Sequence, residues 1–302
     1  MNARITKVSR KLYLIALFPP IEGFDDFISV WLYNGSPSFV VDVGPAVTVS
    51  QLLTALDELG VHGLDYVFLT HVHIDHAGGV SDFSAVFPET PVICHPAGIP
   101  YLIDPSILWE GSVKTLGNIA HAYEPIKPVH SGCLVNAEDF SSNSMVPIMT
   151  PGHSPNHVSY QFQEYLFAGE AGGVFIPESG YLRPATPPRF FLETAVRSID
   201  RLIERDSRLI CYGHFGMSPN CREMLKKGRS QLFRWERIIG EEIGKFYQDN
   251  FLTNCMDRLL KEDPLLSGFY ELNPAKRERE RYFLKNSIRG FGLAMKAAVD
   301  YT

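Results

Sequence analysis

Three histidines and one aspartate lie within six consecutive positions of the sequence. They are His71, His73, Asp75 and His76. Imidazole nitrogens and carboxylate oxygens are the ligands that suit zinc, iron and manganese in proteins. The apolar run of residues 66–69 would form a strand that fixes His71, and the turn after it would let the other side chains converge. The segment therefore predicts a metal site, in preference to four polar side chains that are hydrogen-bonded separately in a loop.

Four further elements surround this segment in a fixed order. An earlier strand-like run ends at Asp42, His153 lies in a Thr-Pro-Gly-His-Ser sequence, Glu170 follows Phe-Ala-Gly, and His214 follows another strand-like run. Together with the His-x-His-x-Asp-His motif, they resemble the metallo-β-lactamase superfamily over roughly residues 12 to 215. The sequence departs from the family pattern at Glu170, because the family usually has aspartate there. We expect the longer side chain to bridge two ions less symmetrically.

The resemblance implies a set of ligands. His71, His73 and His153 would hold a first metal ion, Asp75, His76 and His214 would hold a second, and Glu170 would bridge the two. The cofactors would be two divalent ions, with zinc preferred over iron or manganese. Ions so placed turn a shared water into hydroxide near neutral pH, and Asp75 could accept or relay a proton.

Two more residues are expected to support the ligands from outside. Asp42 would accept a hydrogen bond from a ligand histidine, unless it merely caps the turn that follows it. His157 lies four positions after His153 and would orient the site without binding metal.

The implied function is a metal-dependent hydrolase that acts on a small ester, thioester, lactone or phosphoester. The alternative is an iron-dependent oxidoreductase on the same fold, of the persulfide dioxygenase or the di-iron type. Di-iron relatives typically have glutamate where His73 stands, and a persulfide dioxygenase uses only the first metal position. The presence of Asp75, His76 and His214 therefore favours hydrolysis. A metal-binding module without activity is the third possibility, and the complete set of ligands argues against it.

The elements that would position these residues predict an α+β fold. The resemblance implies a four-layered αββα sandwich with the metals at one edge between the sheets, followed by a helical appendage. We place a metal-binding domain at residues 1–218 and a helical extension at residues 219–302. Residues 27–33 and 39–43 flank a turn and predict a hairpin. Ser50 is expected to cap a helix that Gly60 ends.

Three segments invite further hypotheses. Residues 96–136 lack a clear period and predict a lid over the metals, from which His121 or Tyr123 could contact substrate. Arg183 could bind an anionic substrate group or pair with a surface carboxylate. The alternating charges of residues 276–281 predict a solvated helical face.

Composition limits the class of partner and the compartment. The formal net charge of −6 gives no general attraction for nucleic acid or an anionic membrane, so we expect a small-molecule substrate. The five cysteines contain no Cys-x-x-Cys pair and are interpreted as reduced thiols. The apolar run of residues 12–18 is too short for a signal segment, which suggests a cytoplasmic protein. Apolar stripes after Pro219 could cover the site mouth or form a homodimer contact.

Overall fold

The computed structural model describes residues 2–142, 144–188 and 190–300, with side chains as far as residue 297. The first half of the chain forms a sheet whose seven strands lie in chain order. They are β1 (Arg4–Lys7), β2 (Leu12–Leu17), β3 (Ile28–Tyr33), β4 (Phe39–Val41), β5 (Tyr66–Phe68), β6 (Val92–Cys94) and β7 (Leu134–Asn136). Neighbouring strands from β1 to β4 pair antiparallel, and those from β4 to β7 pair parallel. Because the carboxyl ends of parallel strands meet at one edge, Asp42 after β4 and His71 after β5 become neighbours.

The second sheet has the strand order β14, β13, β10, β9, β8. Its strands are β8 (Met145–Met149), β9 (Val158–Phe162), β10 (Tyr165–Gly169), β13 (Leu209–Tyr212) and β14 (Met217–Ser218). A separate two-stranded hairpin is formed by β11 (Val174–Ile176) and β12 (Tyr181–Arg183). Strands β10 and β13 are parallel. Glu170 and His214 follow these two strands and therefore lie at the same edge of the second sheet.

Helices cover the outer faces of both sheets. They are α1 (Val49–Glu58), α2 (Ile74–Ala77), α3 (Val80–Val86), α4 (Ile99–Ile103), α5 (Ser106–Leu116), α6 (Asn118–Tyr123), α7 (Leu192–Ile203), α8 (Cys221–Glu242), α9 (Phe251–Glu262) and α10 (Pro274–Asp300). Helix α1 packs against the first sheet, and α7 and α8 pack against the second. Aromatic side chains such as Trp31, Phe68 and Phe167 fill the space between the sheets. The expected four-layered αββα sandwich, with helices at its carboxyl-terminal end, is confirmed.

One local prediction was wrong. Ser50 lies inside α1 instead of capping it, because a 3-10 turn at Ala46–Thr48 leads directly into the helix. Residues 96–136 contain three short helices, of which α5 and α6 pack against α2. Prolines lie at or next to the starts of two of them, where a missing backbone N–H costs nothing. Helices α4 and α6 have only five and six residues, and α5 has no fully buried residue among its eleven, so no clear apolar stripe marks them in the sequence. That this segment forms a lid over the metals stays a prediction.

The carboxyl-terminal helices share the main hydrophobic core, since Leu225 of α8 and Leu284 of α10 belong to the same cluster as Leu52 of α1. The boundary between residues 218 and 219 stays a prediction. The solvated face expected at residues 276–281 is wrong for Arg279 and Glu280, which are 4% and 0% exposed. Among the described residues, no helix combines the length and apolar character that a bilayer crossing requires.

Candidate metal centre

Two adjoining groups of side chains lie where the carboxyl ends of strands from both sheets meet. The first group is His71, His73, His153 and Glu170, and the second is Asp75, His76 and His214. Within each group, one donor atom from every residue lies within 4.8 Å of the others. The structure therefore brings together all seven residues that the sequence predicts as ligands.

Three imidazole nitrogens and one carboxylate oxygen converge in the first group. Nε2 of His71 and Nε2 of His153 lie 2.9 and 3.0 Å from Nδ1 of His73. Oε2 of Glu170 lies 2.9 Å from Nε2 of His153 and 3.5 Å from Nε2 of His71. Four donor atoms is the number that zinc usually takes in proteins.

Glu170 also faces the second group. Its Oε2 lies 3.5 Å from Nε2 of His76, and its Oε1 lies 3.5 Å from Nε2 of His214. Oδ2 of Asp75 lies 3.8 and 3.7 Å from the same two nitrogens. The carboxylate of Glu170 thus lies between the groups, and its shortest contact to a histidine is in the first.

Four of the histidines turn Nε2 inward and bond Nδ1 to an outer partner. Nδ1 of His71 lies 3.0 Å from Thr70 Oγ1, and Nδ1 of His76 lies 2.9 Å from Asp42 Oδ2. Nδ1 of His153 lies 3.0 Å from the Ala185 carbonyl oxygen, and Nδ1 of His214 lies 3.0 Å from the Phe27 carbonyl oxygen. A carbonyl or carboxylate oxygen only accepts, so Nδ1 of His76, His153 and His214 carries the hydrogen, and a neutral ring then keeps its Nε2 lone pair for the centre.

Asp42 is the common acceptor behind this arrangement. Its Oδ1 accepts the Thr70 backbone N–H at 2.7 Å, and its Oδ2 accepts the Thr70 hydroxyl at 2.8 Å and His76 Nδ1 at 2.9 Å. The Thr70 hydroxyl, having donated to Asp42, can accept from Nδ1 of His71. One buried carboxylate therefore orients a histidine of each group, as expected for a supporting residue.

His157 holds the backbone of Glu170. Its ring is fully buried, Nδ1 lies 2.8 Å from the Thr150 hydroxyl, and Nε2 accepts the Glu170 backbone N–H at 3.2 Å. His157 lies outside both groups, and its role in orienting the site stays a prediction. Gly169 makes this contact possible, since a Cβ there would lie 2.5 Å from Nε2 of His157, and its φ of +54° favours glycine.

Replacing Gly169 by alanine should therefore disrupt the site. The clash with a buried ring and the left-handed backbone should together lower the free energy of unfolding by about 3 kcal/mol. Denaturant unfolding measures this effect. Gly180→Ala is the matched control, because Gly180 has a φ of +66° but a Cβ added there would meet no atom within 4 Å. That control should cost about 1 kcal/mol. Equal costs for the two variants would contradict the packing argument.

The donor chemistry fits a cation. Nδ1 of His73 lies within 3.0 Å of two Nε2 lone pairs and can donate to only one of them at a time. In the second group, Nε2 of His76 is buried without a hydrogen-bond partner among the described residues, and Oε2 of Glu170 at 3.5 Å lies outside hydrogen-bonding geometry. Bound divalent ions would satisfy these facing lone pairs, and imidazole with carboxylate suits zinc, iron or manganese.

Electrostatics agree with that fit. Burial and neighbouring histidines lower the pKa of His71 well below its ordinary value, and burial with His153 lowers the pKa of His73 to about 4. Both rings are therefore neutral at pH 7, and each has a lone pair that it can donate to a metal ion. Burial alone would raise the pKa of Glu170, but His153 and His214 lower it well below its ordinary value. Burial likewise opposes protonation of His76, yet Asp75 and Asp42 raise its pKa well above its ordinary value. The carboxylates thus favour positive charge in the second group.

The other candidates have different surroundings. Tyr123 is buried, its hydroxyl has no hydrogen-bond partner in the described part of the chain, and burial followed by nearby Asp75 raises its pKa well above the ordinary value. His121 is exposed beside Trp109. Arg183 is buried and pairs with the buried Glu280 at 2.6 Å. The prediction of a surface carboxylate as its partner is therefore wrong. The alternative, that Arg183 binds an anionic group of the substrate, is also wrong, because its charge is already paired inside the protein.

Sequence reasoning missed the backbone partners. The carbonyl groups of Phe27 and Ala185 orient His214 and His153, and no residue type signals such a role. The link from Asp42 through the Thr70 hydroxyl to His71 was also not predicted. The signal for it in the sequence is a residue with a hydroxyl group directly before His71.

The chain is similar in sequence and in fold to known proteins. The sequence model of the metallo-beta-lactamase superfamily matches residues 23–214. The metallo-beta-lactamase fold-containing protein ST1585 of Sulfurisphaera tokodaii is 27% identical over 229 residues, which cover 70% of this chain and 84% of that protein. A crystal structure of ST1585 from Sulfolobus tokodaii covers 94% of this chain and 98% of its own, with a TM-score of 0.71 and 22% identity, and shows the shared fold.

A hydroxyacylglutathione hydrolase of Yersinia pestis is also similar. It is 27% identical over 191 residues. The match covers 61% of this chain and 61% of that enzyme, so less than two thirds of the enzyme is matched.

Proposed function

Because the chain belongs to the metallo-β-lactamase superfamily, we propose that it is a binuclear metal-dependent hydrolase of a small ester or thioester. The observation that carries the proposal is the pair of donor groups joined by Glu170, in which four histidines are already oriented by outer hydrogen bonds. Similarity to a hydroxyacylglutathione hydrolase supports a thioester as the first substrate class to test.

The candidate ligands would bind the two ions of such a hydrolase as two sets that share Glu170. His71, His73 and His153 with Glu170 would hold one ion, and Asp75, His76 and His214 with Glu170 would hold the other. When bound, two such ions activate water as a nucleophile near neutral pH and polarise the oxygen of the scissile group. Zinc is the preferred identity because each group, with Glu170 counted in both, offers four donor residues, the number that zinc usually takes in proteins.

Asp75 is suited to hold a proton during the reaction. Its side chain is 16% exposed, whereas those of His76 and His214 are 1% and 2% exposed. Its Oδ2 faces both of these histidines. Substrate would approach the centre where His73, Asp75 and His153 are each partly exposed.

Metal removal tests the proposal. Protein purified without added metal should contain two ions per chain by elemental analysis and should hydrolyse members of a panel of small esters and thioesters. Dialysis against a chelator should abolish turnover, and returning Zn²⁺ should restore it, because the nucleophile depends on the ions. One iron per chain together with oxygen consumption would instead favour the oxidoreductase. A preparation that hydrolyses the panel equally well without metal would contradict the proposal.

A further inference from the structure

His214 is held by a single aromatic residue in two ways. Its Nδ1 lies 3.0 Å from the Phe27 carbonyl oxygen, and its ring stacks on the Phe27 ring with centroids 3.9 Å apart and planes 12° apart. The first contact sets the tautomer and the second sets the plane of the imidazole. The direction of the Nε2 lone pair therefore depends on where Phe27 lies.

A buried guanidinium from α10 packs against the rings around His214. Cζ of Arg279 lies 5.1 Å from the centroid of the Phe27 ring and 4.5 Å from that of Phe215, the residue after His214. Nη1 of Arg279 also donates to the Gly23 carbonyl oxygen. Cation–π contacts of this kind strengthen when they are shielded from water. Arg279 thus joins the carboxyl-terminal helix to both aromatic neighbours of one candidate ligand.

Arg279 is itself held by a buried ion triad. Oε1 of Glu280 lies 2.9 Å from Nε of Arg279, and Oε2 lies 2.6 Å from Nε of Arg183. Burying three charges gives little net gain in stability over apolar residues of similar volume, so the triad is weakly explained by folding alone. Removing Arg279 would still leave Glu280 paired one to one with Arg183, which makes the arginine a tractable target for substitution.

We propose that Arg279 is a positioning residue for the second metal ion. Through Phe27 and Phe215 it fixes the plane of His214, and so it sets the affinity of the group formed by Asp75, His76 and His214. The inference rests on the proposed metal function and extends it to a residue 65 positions beyond His214, on a helix that supplies no candidate ligand among its described side chains.

The test is a titration of metal-free protein with Co²⁺ alone, followed by visible absorption and equilibrium dialysis. Wild-type protein should take up two equivalents. In Arg279→Met the second equivalent should bind roughly tenfold to a hundredfold more weakly, while affinity for the first changes by less than about twofold. The absorption of the second ion should change with it, because the imidazole that binds it is free to turn. Arg279→Lys should recover part of the affinity, since it keeps a charge near the rings.

One control separates positioning from general effects of charge. Arg281→Met removes an arginine two positions further along α10, which lies over the Phe269 ring. This control should keep second-ion affinity close to that of the wild type.

Several results would overturn the inference. A folded Arg279→Met that binds both equivalents like the wild type, or that weakens both equally, excludes selective positioning. If Arg279→Met does not fold, Phe27→Leu replaces it, because leucine remains apolar but removes the flat stack on His214. Phe27→Leu must then show the same selective loss, and unchanged second-ion affinity would refute the proposal. Wild-type protein that takes up no Co²⁺ would instead overturn the metal function itself.

Discussion

Glu170→Gln is expected to lose metal and turnover together. Glu170 directs Oε2 toward His153 at 2.9 Å and Oε1 toward His214 at 3.5 Å, so one carboxylate serves both groups. The amide has nearly the same shape but lacks the charge that offsets two dications. A loss of several kcal/mol of transition-state stabilisation corresponds to a fall in kcat/KM on the order of a thousandfold. Elemental analysis and steady-state kinetics on the best ester or thioester measure the two effects.

Glu170→Asp is the control for geometry. It keeps the charge, shortens the side chain by one methylene, and restores the residue that is usual in the family. This variant should retain metal better than Glu170→Gln, because charge and not length dominates the binding of a dication. Full metal content and full turnover in Glu170→Gln would exclude the bridging role.

Asp42→Asn is expected to weaken the fold and the metal centre at once. Asp42 accepts hydrogen bonds from the Thr70 backbone, the Thr70 hydroxyl and His76. An amide turns one of its acceptors into a donor that faces other donors inside the protein. Removing one partner of such a buried charged network costs roughly 3–5 kcal/mol of stability. Loss of an outer partner of a ligand histidine should also lower metal affinity about tenfold to a hundredfold.

Asp65→Asn is the matched control for this prediction. Oδ2 of Asp65 accepts the backbone N–H and the hydroxyl of Ser38 at 2.7 and 3.1 Å, which repeats the pairing of Asp42 with Thr70 at an exposed position. Asp65→Asn should lower the free energy of unfolding by less than about 1 kcal/mol and should leave metal affinity unchanged. Denaturant unfolding and metal titration compare the two variants. If Asp42→Asn behaves like Asp65→Asn, Asp42 serves only as a local cap.

The fold and the candidate ligands could be predicted because their signals are local. His71, Glu170 and His214 come shortly after apolar strands, His153 lies in a glycine-containing turn, and the other three candidate ligands follow His71 within five residues. Strand ends at one edge of a sheet meet in space. The hairpin of β3 and β4 and the end of α1 at Gly60 are predictable for the same reason, since the turn and the glycine lie beside the residues that they affect.

What could not be predicted depends on distant contacts. Arg183 of β12 and Glu280 of α10 are 97 positions apart, and only the tertiary fold brings them together as a buried pair. The alternating charges of residues 276–281 have the pattern of a solvated face, and tertiary burial overrides it at Arg279 and Glu280. Within residues 96–136, α4 and α6 are too short for a periodic apolar stripe, and α5 has no fully buried residue, so tertiary contacts, such as those of α5 and α6 with α2, place these helices.

Because the candidate ligands come from both sheets, bound metal would affect how long the protein survives proteolysis. The loop after β5 in the first sheet supplies His71 to His76, whereas loops after β8, β10 and β13 in the second supply His153, Glu170 and His214. Ions that bind only the folded chain add to its unfolding free energy by thermodynamic linkage, about 4 kcal/mol for each site at a free concentration a thousand times its Kd. Metal supply would therefore set how firmly the sheets stay together. The metal-starved chain would be the inactive form and also the one that opens first to proteolysis, so scarcity of the ion would reduce the amount of the protein as well as its activity.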